Sequence, residues 1–397
     1  MNFEQVINRK NTYSMKWDGA QSLYHNSNLI PMWIADMDIK APEPIIAAIK
    51  KYAEHGIYGY VEYPELTEIP QLIAEWLKKR NNWNVKPENI GYSSGVINGI
   101  SLAIRSLTKE NDSIIVQSPL YGHFRAAIEN SKRVLVKNDL IRKDNSYFFN
   151  WNKLESQIVN HQVKMAILCN PHNPTGRVWT KDELNHFVSI CQQHQVIIIS
   201  DDIHSDLILP GYRYYPIASV CPEYSNQIIT FKSLSKTFNL AGLQFSYYLT
   251  TNNTYLKKMK QIAQYSANPE WPTAFALPAV AAAYGNSDCE KWLQQLLVYL
   301  ADNLKWLTNE IESKTPAVVT KSQSTYLAWI DVSYLHCSEA DLLNALDMSG
   351  IGIQSNQDFG LDNQDGLFIR LNYATAKEVL KEGIHRLIIG LNRLNKE

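Results

Sequence analysis

The sequence is poor in everything that marks a secreted, membrane-spanning or nucleic-acid-binding chain. Its 397 residues hold five cysteines, Cys169, Cys191, Cys221, Cys289 and Cys337, an odd number, widely spaced and never in a C-x-x-C pattern. That excludes a disulfide framework and a zinc knuckle. There is no run of about 18 apolar residues that could span a bilayer. The richest stretch, residues 274–284, is interrupted by Pro278, and the opening MNFEQVINRKNTY lacks an apolar segment of signal-peptide length. Charge of one sign is not in excess: 38 Lys and Arg face 39 Asp and Glu, leaving a formal charge of −1. Nothing in that balance recruits nucleic acid or an anionic membrane. Repeats, low-complexity tracts and Gly/Ser linkers are missing too, so domains must be interleaved through packed elements rather than tethered. The expectation is a cytoplasmic protein without a metal site that handles small molecules.

What is present fits a large globular chain. Hydrophobic residues make up 45% and charged residues 19%, and the length predicts two packed units. Between about residues 90 and 250, short β-branched runs alternate with helical patterns: SIIVQ (113–117), RVLVK (133–137), KMAILC (164–169), VIIIS (196–200) and QIITF (227–231). Continuous apolar strands separated by helices predict a largely parallel sheet covered on both faces. Thr180 with Glu183 predicts a capped helix over 181–194. Pro44 and Gly56 bracket another. Residues 287–313 read as a long helix, followed by strand-like YLAWIDV and GLFIRLNY and two amphipathic helices, a smaller α+β unit.

In open parallel sheets ligands bind beyond the carboxyl ends of the strands, and here those ends are unusually polar. KMAILC runs into NPHNPTG, VIIIS into DDIH, QIITF into KSLSK and SIIVQ into SPLYG. An amide, a carboxylate, a lysine and an aromatic ring thus meet on one rim. Such a set suits a flat, phosphorylated, electron-withdrawing ring held as an imine, a description that pyridoxal phosphate meets. A phosphate seat is available in YSSGVING (92–99), where Ser93 or Ser94 is expected to cap a helix striped by Val96, Ile100, Ala103 and Ile104.

NPHNPTG, SDDIH and SLSKTFNLAG in this order, with 28 and 35 residues between Asn173, Asp201 and Lys236, resemble the fold-type I pyridoxal-phosphate enzymes of the class I/II aminotransferase family. PMWIADMD (31–38), HGIYGY (55–60) and SKTFNLAGLQ (235–244) are most similar to its cystathionine β-lyase branch, the carbon–sulfur lyases. The resemblance implies an α/β fold of aspartate-aminotransferase type: a large domain (46–285) with a mostly parallel seven-stranded sheet between helices, a smaller α+β domain (286–397) and an N-terminal segment (1–45) packing with the latter. It implies that Lys236 forms the imine, that Asp201 faces the ring nitrogen and Asn173 the ring 3-oxygen, and that Tyr121 stacks on the ring. Gly95, Val96 and Ile97, with Ser233 and Ser235, would hold the phosphate, and His204 would stand near the 3-oxygen. Arg370 would clamp the substrate carboxylate, with Trp33, Ala35 and Tyr121 beside it. Tyr60 would reach the cofactor of the other subunit in a homodimer.

Two positions depart from the wider pattern. Gln244 stands where many aminotransferases carry a phosphate-binding arginine, and His204 where a tyrosine is common. Each residue also has an ordinary explanation: Lys236 as a surface lysine, Asp201 and Asn173 as turn residues, Arg370 as half of an ion pair, His204 as a core histidine, Trp33, Asp36 and Asp38 as packing and turn elements. The shared placement of Asn173, Asp201 and Lys236 after strands favours their functional reading, whereas His204 stays open between core residue and direct contact, and Trp33, Asp36 and Asp38 between packing or turn elements and substrate-entrance residues. The activity implied is β-elimination of L-cystathionine or another cysteine S-conjugate to thiol, pyruvate and ammonia. Transamination is the first alternative, and a regulatory binding protein on a degenerate enzyme scaffold the second.

Overall fold

A computed structural model describes residues 1–24, 26, 28–265 and 272–395 of the chain. After β1 (Ile30–Pro31), helix α1 (Glu43–Glu54) starts with Pro44 in its first turn, where no intrahelical N–H is lost, and stops before Gly56 at φ +70°. Helix α2 (Ile69–Asn81) leads into the alternating region: β2 (Ile90–Ser93), α3 (Val96–Leu107), β3 (Ser113–Ser118), α4 (Gly122–Asn130) and β4 (Val134–Asp139). A hairpin of β5 (Ile141–Lys143) and β6 (Ser146–Phe148) precedes α5 (Trp151–Asn160), β7 (Met165–Cys169) and α6 (Lys181–Gln193). Then come β8 (Ile197–Asp201), the single turn α7 (Ile217–Val220), β9 (Ile228–Lys232) and β10 (Ser246–Leu249).

These strands make one seven-stranded sheet in the order β2-β10-β9-β8-β7-β3-β4, with β10 antiparallel to both neighbours and the other pairs parallel. Its middle strands are buried along their length because helices cover both faces, which is why their sequences read as unbroken apolar runs. Thr180 and Glu183 close a reciprocal capping box on α6, a feature that contributes about 1 kcal/mol.

The chain continues through α8 (Asn253–Tyr265), which lies against α3, then α9 (Ala276–Gly285) and the 28-residue α10 (Ser287–Lys314). A second, antiparallel sheet, β11-β12-β15-β14, follows. It is built from β11 (Val318–Val319), β12 (Leu327–Asp331), β14 (Gln354–Ser355) and β15 (Phe368–Asn372). Helices α11 (Glu339–Met348) and α12 (Lys377–Leu394) pack on one another and share one hydrophobic cluster with it. Strand β13 (Ile351–Gly352) pairs in parallel with β1, tying the N-terminal segment to this unit. The expected boundary at 45 falls inside the first turn of α1, a single helix packed on α9, whereas that at 285 falls between α9 and α10.

Candidate active site

Three neighbouring parallel strands deliver the core of the site from their carboxyl ends. Asn173 follows β7, Asp201 is the last residue of β8, and Lys236 lies four residues past β9. Arg370 arrives from β15 of the other sheet. Together with Trp33, Ala35, Tyr121, His204 and the start of α3, they line one cavity of about 480 Å³, the size of a small-molecule site.

Arg370 is 2% exposed and faces no carboxylate at ion-pair distance among the described residues. Its Nη1 donates to Asn173 Oδ1 at 2.9 Å, its Nη2 to the Trp33 carbonyl at 3.1 Å and to Gln354 Oε1, and its Nε is buried without a partner. Burial lowers its pKa to about 10. The ion-pair explanation therefore fails. A buried guanidinium that only neutral acceptors meet suits a carboxylate ligand. The same contact occupies the oxygen of Asn173 and leaves its amide nitrogen without a protein acceptor among the described residues.

Asp201 is pushed up to about 7, chiefly by burial; the Ile203 N–H donating to it at 3.1 Å offsets part of that rise, and neighbouring Asp202 adds to it. It is thus both a turn residue and a carboxylate in want of a cation. Lys236 Nζ donates to the Ala35 carbonyl at 2.7 Å. Desolvation, then the Arg370 charge, lower it to about 8. His204 is 3% exposed, its Nδ1 has no partner, and burial holds it neutral.

At the other end of the cavity the expectation of a serine cap is corrected. Gly95 occupies the N-cap of α3 at φ +95°, a conformation that needs no Cβ, and no side chain caps the helix. Ser93 cannot cap because its hydroxyl meets Ser246 Oγ at 2.8 Å across the β2–β10 pair. The first-turn amides of Val96 and Ile97 stay open, as an anion seat requires. Ser233 donates to the Phe245 carbonyl at 2.6 Å, so its proton is already committed, while Ser235 and Gln244 also line this end.

Tyr60 is not brought to the cavity: it is 95% exposed on the segment after α1. Sequence reasoning missed Gln354, which holds Arg370, and Tyr326, whose hydroxyl donates to the Ala35 carbonyl at 3.1 Å. Neither sits in a motif. Only the pairing of Gln354 with Arg370 on the adjacent strand, or the place of Tyr326 at the start of the YLAWIDV run, could have suggested them.

Fold and site together define an α/β enzyme of aspartate-aminotransferase type. The model of the family "Aminotransferase class I and II" matches residues 30–387, and the chain belongs to that family. It is 34% identical to cystathionine beta-lyase PatB of Bacillus subtilis (strain 168), across 99% of this chain and 100% of that one. Cystalysin from Treponema denticola, which contains pyridoxal 5′-phosphate, superposes with a TM-score of 0.92 at 30% identity, covering 99% of each chain. The pyridoxal-phosphate-bound C-S lyase from Staphylococcus hominis, in complex with L-cycloserine, gives 0.89 at 31% identity, again over 99% of both.

Proposed function

We propose that the protein is a pyridoxal-phosphate-dependent carbon–sulfur lyase that cleaves L-cystathionine or another cysteine S-conjugate, with water, to a thiol, pyruvate and ammonia. The observation that carries the reading is the convergence of Lys236, Asp201 and Arg370, each with its pKa displaced by burial, on one cavity. The names of its full-length relatives support it.

The residues fit the cofactor. Asp201, raised and lacking a cation, suits a ring N–H⁺, and Asn173, its oxygen held by Arg370, has an N–H to give a ring oxygen. Neutral His204 has an unused Nδ1 for the same region, and Tyr121 offers a flat face. The amides of Val96 and Ile97, with Ser235, would meet the phosphate; the expected Gly95 amide is already donated to the Ser93 carbonyl at 3.0 Å, and Gln244 supplies no positive charge there. When bound, pyridoxal phosphate supplies a carbonyl for the substrate amine and an electron sink for the charge that develops at Cα.

The chain's own groups do the rest. Arg370 clamps the α-carboxylate with two N–H donors, which fixes the direction of the Cα–H bond. Lys236, with its pKa near 8, has an unprotonated fraction at neutral pH and takes the Cα proton at Nζ. Asp201 would hold a negative charge toward the cofactor's ring nitrogen. Trp33 and Ala35 wall the cavity beside Lys236 and Arg370. The protein works as a homodimer in which Tyr60 completes the neighbouring site, consistent with its exposure.

Pyruvate and thiol release from L-cystathionine without added keto acid is the expected result. Glutamate formed from 2-oxoglutarate, with no pyruvate, would replace the lyase by a transaminase. A protein that binds pyridoxal phosphate but turns over neither way would be a regulatory scaffold.

A further inference from the structure

The segment Trp33–Ile39 is a strap of irregular backbone gripped from three sides. From β15, Arg370 donates to the Trp33 carbonyl, and Asn372, two residues on and therefore on the same face, donates through Nδ2 to the carbonyls of Ile34 (2.7 Å) and Asp36 (2.8 Å). From the turn after β9, Lys236 donates to Ala35, and Asn239 brackets Met37, accepting its N–H at 3.1 Å and donating to its carbonyl at 2.8 Å. From the N-terminal segment comes an ionic cluster. Lys16, 1% exposed, contacts Asp38 at 2.7 Å and the Asp36 carbonyl at 2.9 Å. Arg9 forks onto both oxygens of Asp36, at 2.8 and 3.0 Å, and onto Asp38 at 3.0 Å.

The strap thus carries, on Trp33 and Ala35, an acceptor for each of the two basic side chains that the proposed reaction uses. Any slack in it would move Lys236 and Arg370 relative to one another. We propose that Arg9, Lys16, Asn239 and Asn372 are positioning residues, which hold the strap so that Lys236 Nζ faces the Cα–H bond of a substrate whose carboxylate Arg370 holds. This rests on the roles given above to Lys236 and Arg370, and it assigns a use to the asparagine of SKTFN, which otherwise has none. Proton transfer falls steeply with misplacement, so an ångström of slack costs on the order of a hundredfold at worst.

The test uses the cofactor-loaded enzyme with Arg9→Met, Arg9→Lys and, as a control for general destabilisation, Arg133→Met, which severs hydrogen bonds to Thr108 elsewhere. Amide exchange over residues 34–38 and the isotope effect on turnover of Cα-deuterated substrate are both read. Arg9→Met is expected to speed exchange in the strap, lower kcat/KM by about tenfold and enlarge the isotope effect, because proton transfer becomes more nearly rate-limiting. Arg9→Lys, keeping one charge contact, should recover part of each, and Arg133→Met should leave the isotope effect at its wild-type value. Unchanged exchange would show that the cluster does not hold the strap. Faster exchange with kcat/KM within twofold and an unchanged isotope effect would make the strap structural only. If Arg9→Met does not fold, a wild-type isotope effect in folded Arg9→Lys with faster exchange overturns the proposal. Because removal of the Cα proton is common to elimination and transamination, the isotope effect can be read on whichever product forms, so failure of the lyase reading and failure of this one are distinguishable.

Discussion

Two groups of charges lie close together in this molecule, both shielded from water, and they behave oppositely. In the strap cluster Asp38 is 7% exposed, yet its pKa is lowered: burial pushes it up, but Lys16, the Trp17 indole N–H donating at 2.8 Å and Arg9 together outweigh that. Asp201 is 4% exposed and rises to about 7, because what it touches is a backbone N–H and what lies beside it is another carboxylate. Burial is the same, pairing is not. A buried charge that is paired contributes to the architecture, whereas one left short of a partner marks where a ligand belongs.

The largest expected effect tests the unpaired group directly. Lys236→Ala removes the proposed Cα base, and pyruvate release should fall by at least about a thousandfold, while circular dichroism and the melting profile remain those of a folded protein. Near-normal turnover in that variant would remove Lys236 from the chemistry.

The same substitution in the two groups should change stability in opposite directions. Asp38→Asn leaves Lys16 buried without its carboxylate and is expected to cost about 3–5 kcal/mol in denaturant melts. Asp201→Asn in cofactor-free protein should stabilise, by up to about 4 kcal/mol at pH 7.5, since 1.4 kcal/mol accompanies each pKa unit between 3.8 and about 7. The sign with pH follows. Asp201 has a raised folded-state pKa, so its penalty is absent below pH 4, grows as pH climbs to about 7 and is constant above. Asp38 has a lowered one, so its contribution is flat across that window and is lost only in stronger acid. Melts of both variants between pH 4 and 8 would check this, and parallel curves would erase the contrast. In the loaded enzyme, Asp201→Asn should lower kcat by about a hundredfold rather than act through KM alone.

Arg370→Lys keeps charge but loses the planar fork, so kcat/KM should fall by about tenfold across several amino-acid substrates. An unchanged value would return Arg370 to a structural role between Asn173 and Gln354. The smallest effect belongs to neither group: Thr180→Ala breaks the α6 capping box, and should lower stability by about 1 kcal/mol with activity per folded molecule unchanged.

Local chemistry explains which features could be read ahead of the structure. The strands of the large sheet announced themselves because burial on both faces demands uninterrupted β-branched runs, and α6 because a capping box needs only Thr180 and Glu183, three residues apart. Asn173, Asp201 and Lys236 were legible because each lies at the end of its strand or four residues beyond it, so position along the chain is position on the rim. Ser93 was misread as a cap for the converse reason. Its partner, Ser246, lies 153 residues away on an antiparallel neighbour, and no local pattern reveals that pairing.

By itself, then, the sequence determined the period of the strands and the polar residues at their ends, since these depend on residues close in the chain. Only the tertiary structure decided which charges are paired. Arg370 could have been half of an ion pair and Asp36 and Asp38 free entrance carboxylates. The fold instead placed Arg9 and Lys16 against the aspartates and gave Arg370 neutral acceptors, because β1 pairs with β13 and lays the strap across β15. Whether a buried charge is satisfied depends here on groups between 16 and 337 residues apart in sequence, and Coulomb interactions act through space rather than along the chain.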